Sequence, residues 1–563
     1  GESAPSTWDA FSAELTATLE KQKATQGAGL RFLTGAVTSP TFIALMADIQ
    51  KQYPAATWHA YEPISRDFLY AATEQAFGEA LDPVYRLADA DVIVSFDADF
   101  LGFGPAHLRY ARDFASRRSI EAGEINRLYV AESQMSTTGA AADHRLALTP
   151  DAIESLARAI AREVGLTVEG ATETTHAEWA KAVAADLKAH AGRSLVIAGE
   201  HRSPALQALA LALNAQLGNL GKTVTLIEPV AAQSAGQLAS LKALNDAMDA
   251  GTVEALLIIE SNPVYSAPAE LAFGEKLAKV PFVAQYGLFD DETGELSTWH
   301  VPGTHYLEAW GDLRAFDGTV SLVQPLIEPL YKAKSALELL ALAAGRDGVT
   351  GHDLVRETWL EQLGGDLAFK RTLHDGLMAD SAAKAKSPAL VWKDTGAGET
   401  AATAGSLDLA IVPDYAVGDG TYANNGWMQE MPRPVSTMTW DNAFTISQET
   451  AESLGLATGD MVELSAGSSS VTAPVLVSVG VPVGAGVVTM GYGRTAAGRV
   501  GNDVGFSVTA LQTIASPFRT SVAVRKVGGS HDFALTQENH TMAGRNHLRV
   551  GTVADFHANP KFA

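Results

Sequence analysis

Short apolar runs that end in glycine or polar residues and lead directly into amphipathic stretches set the fold of most of this chain. The clearest is Ala90-Asp91-Val92-Ile93-Val94-Ser95-Phe96, followed by Asp97, Ala98 and Asp99. Residues 29–35 read as a buried strand ending in glycine. After Ser39-Pro40, residues 41–52 have the spacing of an amphipathic helix. Residues 57–61, 127–132, 194–199, 223–228, 255–260 and 282–286 are further strands, and 204–217 is a helix with alanine and leucine on its buried stripe. Strands this apolar are covered on both faces, and the order strand, turn, helix builds parallel sheets. Polar residues just past such strands, Met135-Ser136-Thr137-Thr138-Gly139 and Ser261-Asn262-Pro263 among them, lie on the edge where α/β sheets bind ligands.

The pattern changes in the second half. Residues 351–404 turn helical and then rich in alanine, glycine and threonine, and 384–404 read as a loose connector. Residues 407–413, 461–465, 471–479 and 486–490 are short β-branched segments separated by glycine, the spacing of a small all-β barrel. Within it Ser447 caps a helix, Glu449 and Glu452 suit its positive end, and Gly455 stops it. The fold class expected is therefore α/β: two parallel-sheet domains, one inserted in the other, plus a C-terminal β-barrel. The expected divisions are a first α/β domain over 1–175, an inserted α/β domain over 176–295, and a return with helices and linker over 296–404. The barrel then spans 405–530, and a polar tail over 531–563 leads to a partner or a cluster-bearing domain.

The 563 residues contain no cysteine. Disulfides and thiolate-ligated iron–sulfur clusters are thereby excluded from this chain. The net charge of −24 argues against nucleic acid as a partner. It serves solubility, or it steers a basic protein such as a small cytochrome. No run approaches the roughly 20 apolar residues that cross a bilayer. Gly1 to Trp8 lack the basic start and apolar middle of a signal peptide.

Four segments carry candidate chemistry. Gly491-Tyr492-Gly493-Arg494-Thr495-Ala496-Ala497-Gly498-Arg499-Val500-Gly501-Asn502 is a basic glycine-rich loop. Its arginines can clamp a dinucleotide pyrophosphate, or pair with local carboxylates. Gly199-Glu200-His201-Arg202-Ser203-Pro204 opens a helix where a phosphate could sit, although Glu200 repels an anion and a plain turn explains it better. His300, His305 and Glu308 are metal or acid–base candidates, with satisfied structural histidines as the simpler reading. Asp143-His144-Arg145 fits a buried ion pair as well as catalysis. Serine-hydrolase elbows, Walker loops and zincin helices are missing from the sequence.

Taken in order, these segments resemble the molybdopterin oxidoreductase superfamily. Residues 90–101 (ADVIVSFDADFL) and 126–144 (NRLYVAESQMSTTGAAADH) are similar to its second domain. Residues 194–222 and 257–268 (LIIESNPVYSAP) are similar to its third, 298–324 to the return into the second, and 441–460 with 491–505 to its barrel. A narrower similarity is to the molybdoenzyme-like half of the B subunit of bacterial alternative complex III, a membrane quinol:acceptor oxidoreductase. It rests on residues 422–430, 439–442, 491–498 and 536–545.

The resemblance implies a non-catalytic scaffold without molybdenum cofactor, in respiratory or photosynthetic electron transfer. It implies iron–sulfur clusters and haems in neighbouring domains or subunits. The implied partners are a cluster-bearing ferredoxin-like domain, quinol-binding integral membrane subunits and cytochrome c subunits, on the periplasmic face of the inner membrane. It also implies an in-frame, cysteine-rich continuation after Ala563. No catalytic residue or metal ligand is expected on that reading, and Ser136, Asp143, Asn262, Arg494 and Arg499 are vestigial cofactor-binding candidates. The competing expectation is a true bis-molybdopterin enzyme whose metal is held by oxygen from Ser133, Ser136 or Asp143. A third is an unrelated nucleotide-binding α/β protein, which the barrel disfavours. Trp299, Trp310 and Trp427 either plug a relict cavity or belong to ordinary core.

Overall fold

Leu30–Thr34 lies inside a five-stranded sheet of order Trp299–Pro302, Phe282–Gly287, Ala255–Ile259, Leu30–Thr34, Thr57–Ala60. Every pairing in it is parallel, with Phe32 opposite both Trp58 and Leu257. The computed structural model describes residues 4–119, 125–170, 173–396, 398, 402–403, 405–536 and 551–561. The period of two sorts the side chains onto two covered faces. Leu30, Phe32, Leu257 and Ile259 join a core built with helices Trp8–Lys23, Pro40–Gln52, Ala336–Ala343 and Gly351–Leu363. Leu33, Leu256, Ile258 and Val283 face the opposite core, with Leu241 and Leu244 of helix Gln237–Asp249.

A second parallel sheet has the order His144–Ala147, Arg127–Glu132, Val92–Phe96, Ser194–Ala198. Val92, Val94 and Phe96 pack against helices Pro150–Val164, Ala177–Ala189 and Pro204–Gln216, while Ile93 and Ile197 face a separate core. Asp82–Tyr85 pairs antiparallel with Val224–Ile227 beside it. Six strands, Leu407–Val412, Ala485–Thr489, Phe444–Ile446, Ser469–Val477, Asp460–Ala466 and Arg519–Ser530, close the barrel. Ser447 accepts from the Thr450 N–H and Gly455 ends that helix in the left-handed region, as the sequence predicts.

Three expectations change. The inserted unit does not span 176–295. Its sheet takes strands from both sides of that boundary, since Val92–Phe96 pairs with Ser194–Ala198, while Ala255–Ile259 pairs with Leu30–Thr34. The insertion therefore runs from about Asp82 to Ile227. Which buried parallel strand lies beside which is a long-range choice that local pattern does not carry.

The connector is not loose where it is described. Lys386 N–H bonds to Leu226 O and Val391 N–H to Ala76 O, Trp392 packs into the insertion's cores, and Asp394 pairs with the buried Arg158. The tail is pinned to the barrel at its start, through His531 on Asp441 and the strand pair Met438–Thr439 with Ala534–Leu535. Residues 537–550, which carry most of the tail's sequence resemblance, lie outside the described residues. Among the described residues no helix is long and apolar enough to cross a membrane.

Candidate functional site

The C-terminal ends of Val92–Phe96, Arg127–Glu132 and Ser194–Ala198 open into a cavity of about 250 Å³, closed by the barrel through Val412, Pro413 and Phe518. This is the crevice where an open α/β sheet binds ligands. Ligand pockets usually hold roughly 300–1,000 Å³, so this one is small. Its wall carries the carboxylates Asp82, Asp97, Asp99, Glu132 and Glu200 against Arg66 and His201. Each carboxylate is already engaged. Arg66 reaches Asp82 at 2.8 Å and holds Glu200 with two bonds of 2.8 and 2.9 Å. Asp99 accepts from Thr137, Thr138 and Tyr415, and Tyr415 stacks on Phe103 with ring centroids 4.6 Å apart.

Asp97 sits at the end of its strand in left-handed backbone, φ 57°. It accepts from the Ser133 N–H at 3.0 Å, the Ser133 hydroxyl at 2.8 Å and Arg202 at 3.1 Å. Burial opposes its ionisation, but His201, Arg202 and the Ser133 N–H outweigh it and hold the carboxyl far below the usual range. The neighbouring Glu132 takes a hydrogen bond from Ser136 at 2.5 Å and one from Arg145 at 2.5 Å. Burial still pushes its carboxyl up.

Ser136 lines the crevice and Ser133, outside the lining, bonds to Asp97, so the two spend their hydroxyls on separate carboxylates. Asp143 is not among the cavity-lining residues: it is paired bidentately with Arg118 at 2.8 Å and accepts from the Leu128 N–H. The three do not converge as an oxygen ligand set. Among the described residues no three acidic or histidine side chains gather where they could hold a metal ion.

The other candidates meet elsewhere. Arg494 is buried and grips Glu292, with Nε at 2.9 and 3.0 Å and Nη2 at 2.7 Å. Its remaining Nη1 donates to Gly420 O, and the guanidinium lies over the Tyr265 ring at 4.7 Å. The Thr495 and Ala496 N–H groups donate to the same Glu292 carboxylate at 2.8 and 3.0 Å, and Asn262 does so at 2.8 Å. Burial works against the charge here too. The Arg494 hydrogen bonds and charge, with the Ala496 N–H, hold Glu292 down to about 2. A guanidinium, two successive backbone N–H groups and an amide form a ready anion cradle, and the chain's own carboxylate fills it. Of the five vestigial candidates, Asn262 and Arg494 come together on Glu292, Ser136 and Asp143 are apart, and Arg499 is exposed.

The remaining segments are structural. His305 caps the turn Tyr306–Glu308 in a capping box with Glu308, and His300 bonds to Gln285 at 2.6 Å. In the loop after Ser194–Ala198, Ser203 caps helix Pro204–Gln216. Trp299 packs on Phe11, Trp310 on His352, and Trp427 is 90% exposed, so none of them lines the cavity. Sequence reasoning missed Glu292 and Asp97. Glu292 stands in Asp290-Asp291-Glu292-Thr293-Gly294-Glu295, an acidic run at a strand end whose Asp291 caps a short helix. That run was the available signal.

No protein-family profile matches the chain. The chain is similar to a menaquinone reductase molybdopterin-binding-like subunit from Nitratidesulfovibrio vulgaris, 29% identical over 259 residues. That match covers 43% of this chain and 36% of the relative. In three dimensions it is similar to acetylene hydratase from Pelobacter acetylenicus, with TM-score 0.67 and 12% identity over 93% of this chain and 90% of that one. The chain has the molybdopterin-oxidoreductase fold.

That fold raises the question of a pterin cofactor, and two of the arginines that could meet its phosphates are already paired. A pyrophosphate-bearing dinucleotide needs cations free to meet its phosphates. Arg494 is saturated by Glu292, Arg66 by Asp82 and Glu200, and the crevice wall is acidic overall.

Proposed function

We propose that this chain is a non-catalytic, molybdoenzyme-like subunit of a membrane-bound quinone oxidoreductase. On this reading it orients the electron-carrying subunits of the complex and binds no molybdopterin of its own. The relative's description as a molybdopterin-binding-like subunit of a menaquinone reductase supports the quinone-linked setting. The observation that carries the non-catalytic part is Glu292, seated in the cradle formed by Arg494, Asn262 and the 495–496 backbone. The finer identification is with alternative complex III on the periplasmic face. Its cluster-bearing ferredoxin-like, quinol-binding and cytochrome c partners would supply the iron–sulfur clusters and haems.

The test is metal and pterin analysis of the complex purified through a tag on this chain. The expected preparation contains quinol-reactive membrane subunits and iron, with no stoichiometric molybdenum, tungsten or pterin belonging to this chain. One pterin and one metal per chain would overturn the reading, as would purification of the chain from membranes without quinol-reactive partners.

A further inference from the structure

The edge of the second sheet opposite the crevice holds a feature with the reverse electrostatics. At the N-terminal ends of Val92–Phe96 and Ser194–Ala198 lies an open depression of about 400 Å³, lined by Arg86, Ala88, Asp89, Arg117, Gly192, Arg193 and Lys222. Four cations face two carboxylates there, Asp89 in the lining and Asp91 beneath it, on a chain whose net charge is −24. Such a local reversal is not a by-product of composition.

Asp91 organises the cluster. Its Oδ1 accepts from Arg117 at 2.8 Å and from Arg193 at 2.9 Å, and its Oδ2 lies 2.7 Å from Arg193 Nε. One carboxylate fixes two guanidiniums and leaves one positive charge over. Burial opposes ionisation of Asp91, and the two arginines overcome it and lower its pKa. Arg117 is held further by Ala88 O at 2.8 Å. Arg86 and Lys222 are exposed and have no side-chain partner among the described residues. Gly192 has φ +78°, and a Cβ there would stand 2.6 Å from Lys222 Nζ. The glycine gives the ammonium its place over the floor, and Asn219 fixes the loop by accepting from the Gly192 N–H at 3.1 Å.

We propose that this depression is a binding site for a phosphate-bearing anion. Two fixed guanidiniums supply directional N–H groups, and Arg86 and Lys222 supply charge with no competing internal partner. The phosphate can come from a soluble metabolite or from a lipid headgroup. The site is independent of the function proposed above, and either can fail alone.

The experiment uses the full chain and two probes: inorganic pyrophosphate by titration calorimetry, and sedimentation with vesicles. The vesicles are phosphatidylcholine alone, or equal parts phosphatidylcholine and phosphatidylglycerol. Arg86→Glu with Lys222→Glu is the site variant, because neither side chain supports the fold, and Lys21→Glu with Lys370→Glu is a charge-matched control on two distant helices. Saturable pyrophosphate binding, weakened about tenfold or more by the site variant and unchanged in the control, supports a soluble phosphate ligand. Sedimentation only with the anionic vesicles, lost in the site variant alone, supports the headgroup. Absence of both, or equal loss in site variant and control, overturns the proposal.

Discussion

Arg494 and Glu292 stand 202 positions apart in sequence and meet in a buried pair that joins the barrel to the first α/β sheet. Tyr265 reinforces the junction, lying under the guanidinium while its hydroxyl donates to Tyr492 O at 2.8 Å.

Glu292→Ala leaves the Arg494 guanidinium buried without its counter-charge and frees two backbone N–H groups. The expected loss is about 3–5 kcal/mol, read as a fall in the urea midpoint of the barrel transition. Because the folded pKa is depressed to about 2, the pair contributes fully above the unfolded glutamate value near about 4.3. The contribution is lost as pH falls through about 2. The wild type should therefore keep this stability at pH 5, and the variant should show less acid dependence below pH 4.

Much of the architecture can be read from the sequence because parallel strands covered on both faces leave continuous apolar runs. Val92–Phe96, Arg127–Glu132 and Ala255–Ile259 all lie where such runs predict. Arg519–Ser530 was missed although it closes the barrel, since its second half carries the exposed Arg525 and Lys526 and its end is glycine-rich. The candidate site was legible only in halves. Asn262 and Arg494 stood out by residue type, but the carboxylate that joins them belongs to a run that reads as a solvated turn. Pairing across 202 positions has no local signature, and neither does the choice of sheet for each strand.

Asp312 anchors the first helix layer. It accepts from the Ser39 hydroxyl at 2.5 Å, the Thr41 hydroxyl at 2.6 Å, the Thr41 N–H at 3.2 Å and Trp359 Nε1 at 2.6 Å. Those donors belong to the start of Pro40–Gln52 and to Gly351–Leu363, so one buried carboxylate ties two helices to strand Gly311–Arg314. Asp312→Asn keeps the shape but turns one acceptor into a donor facing donors. The expected cost is about 2–3 kcal/mol, with a lower melting temperature and a shift in tryptophan emission. Asp312→Leu should cost more, because it leaves every one of those donors unmatched.

Glu62 gives a pH dependence of opposite sign to Glu292. It follows strand Thr57–Ala60, and its Oε1 accepts from the Ala36 N–H at 2.7 Å. Burial pushes its carboxyl up to about 7, the Ala36 bond opposing and the Asp419 charge adding to the rise. Between the unfolded value near about 4.3 and pH 7 the folded chain therefore binds the extra proton. The stability associated with protonated Glu62 is complete below about 4.3 and is lost as pH rises through 7, by up to about 3 kcal/mol. Glu62→Gln mimics the protonated form at every pH. Its urea midpoint should match the wild type at about pH 4 and exceed it at pH 8, the difference growing between the unfolded value of about 4.3 and the folded value of about 7 and levelling off above it. A difference independent of pH over that interval would mean that Glu62 is already ionised in the folded chain at pH 5.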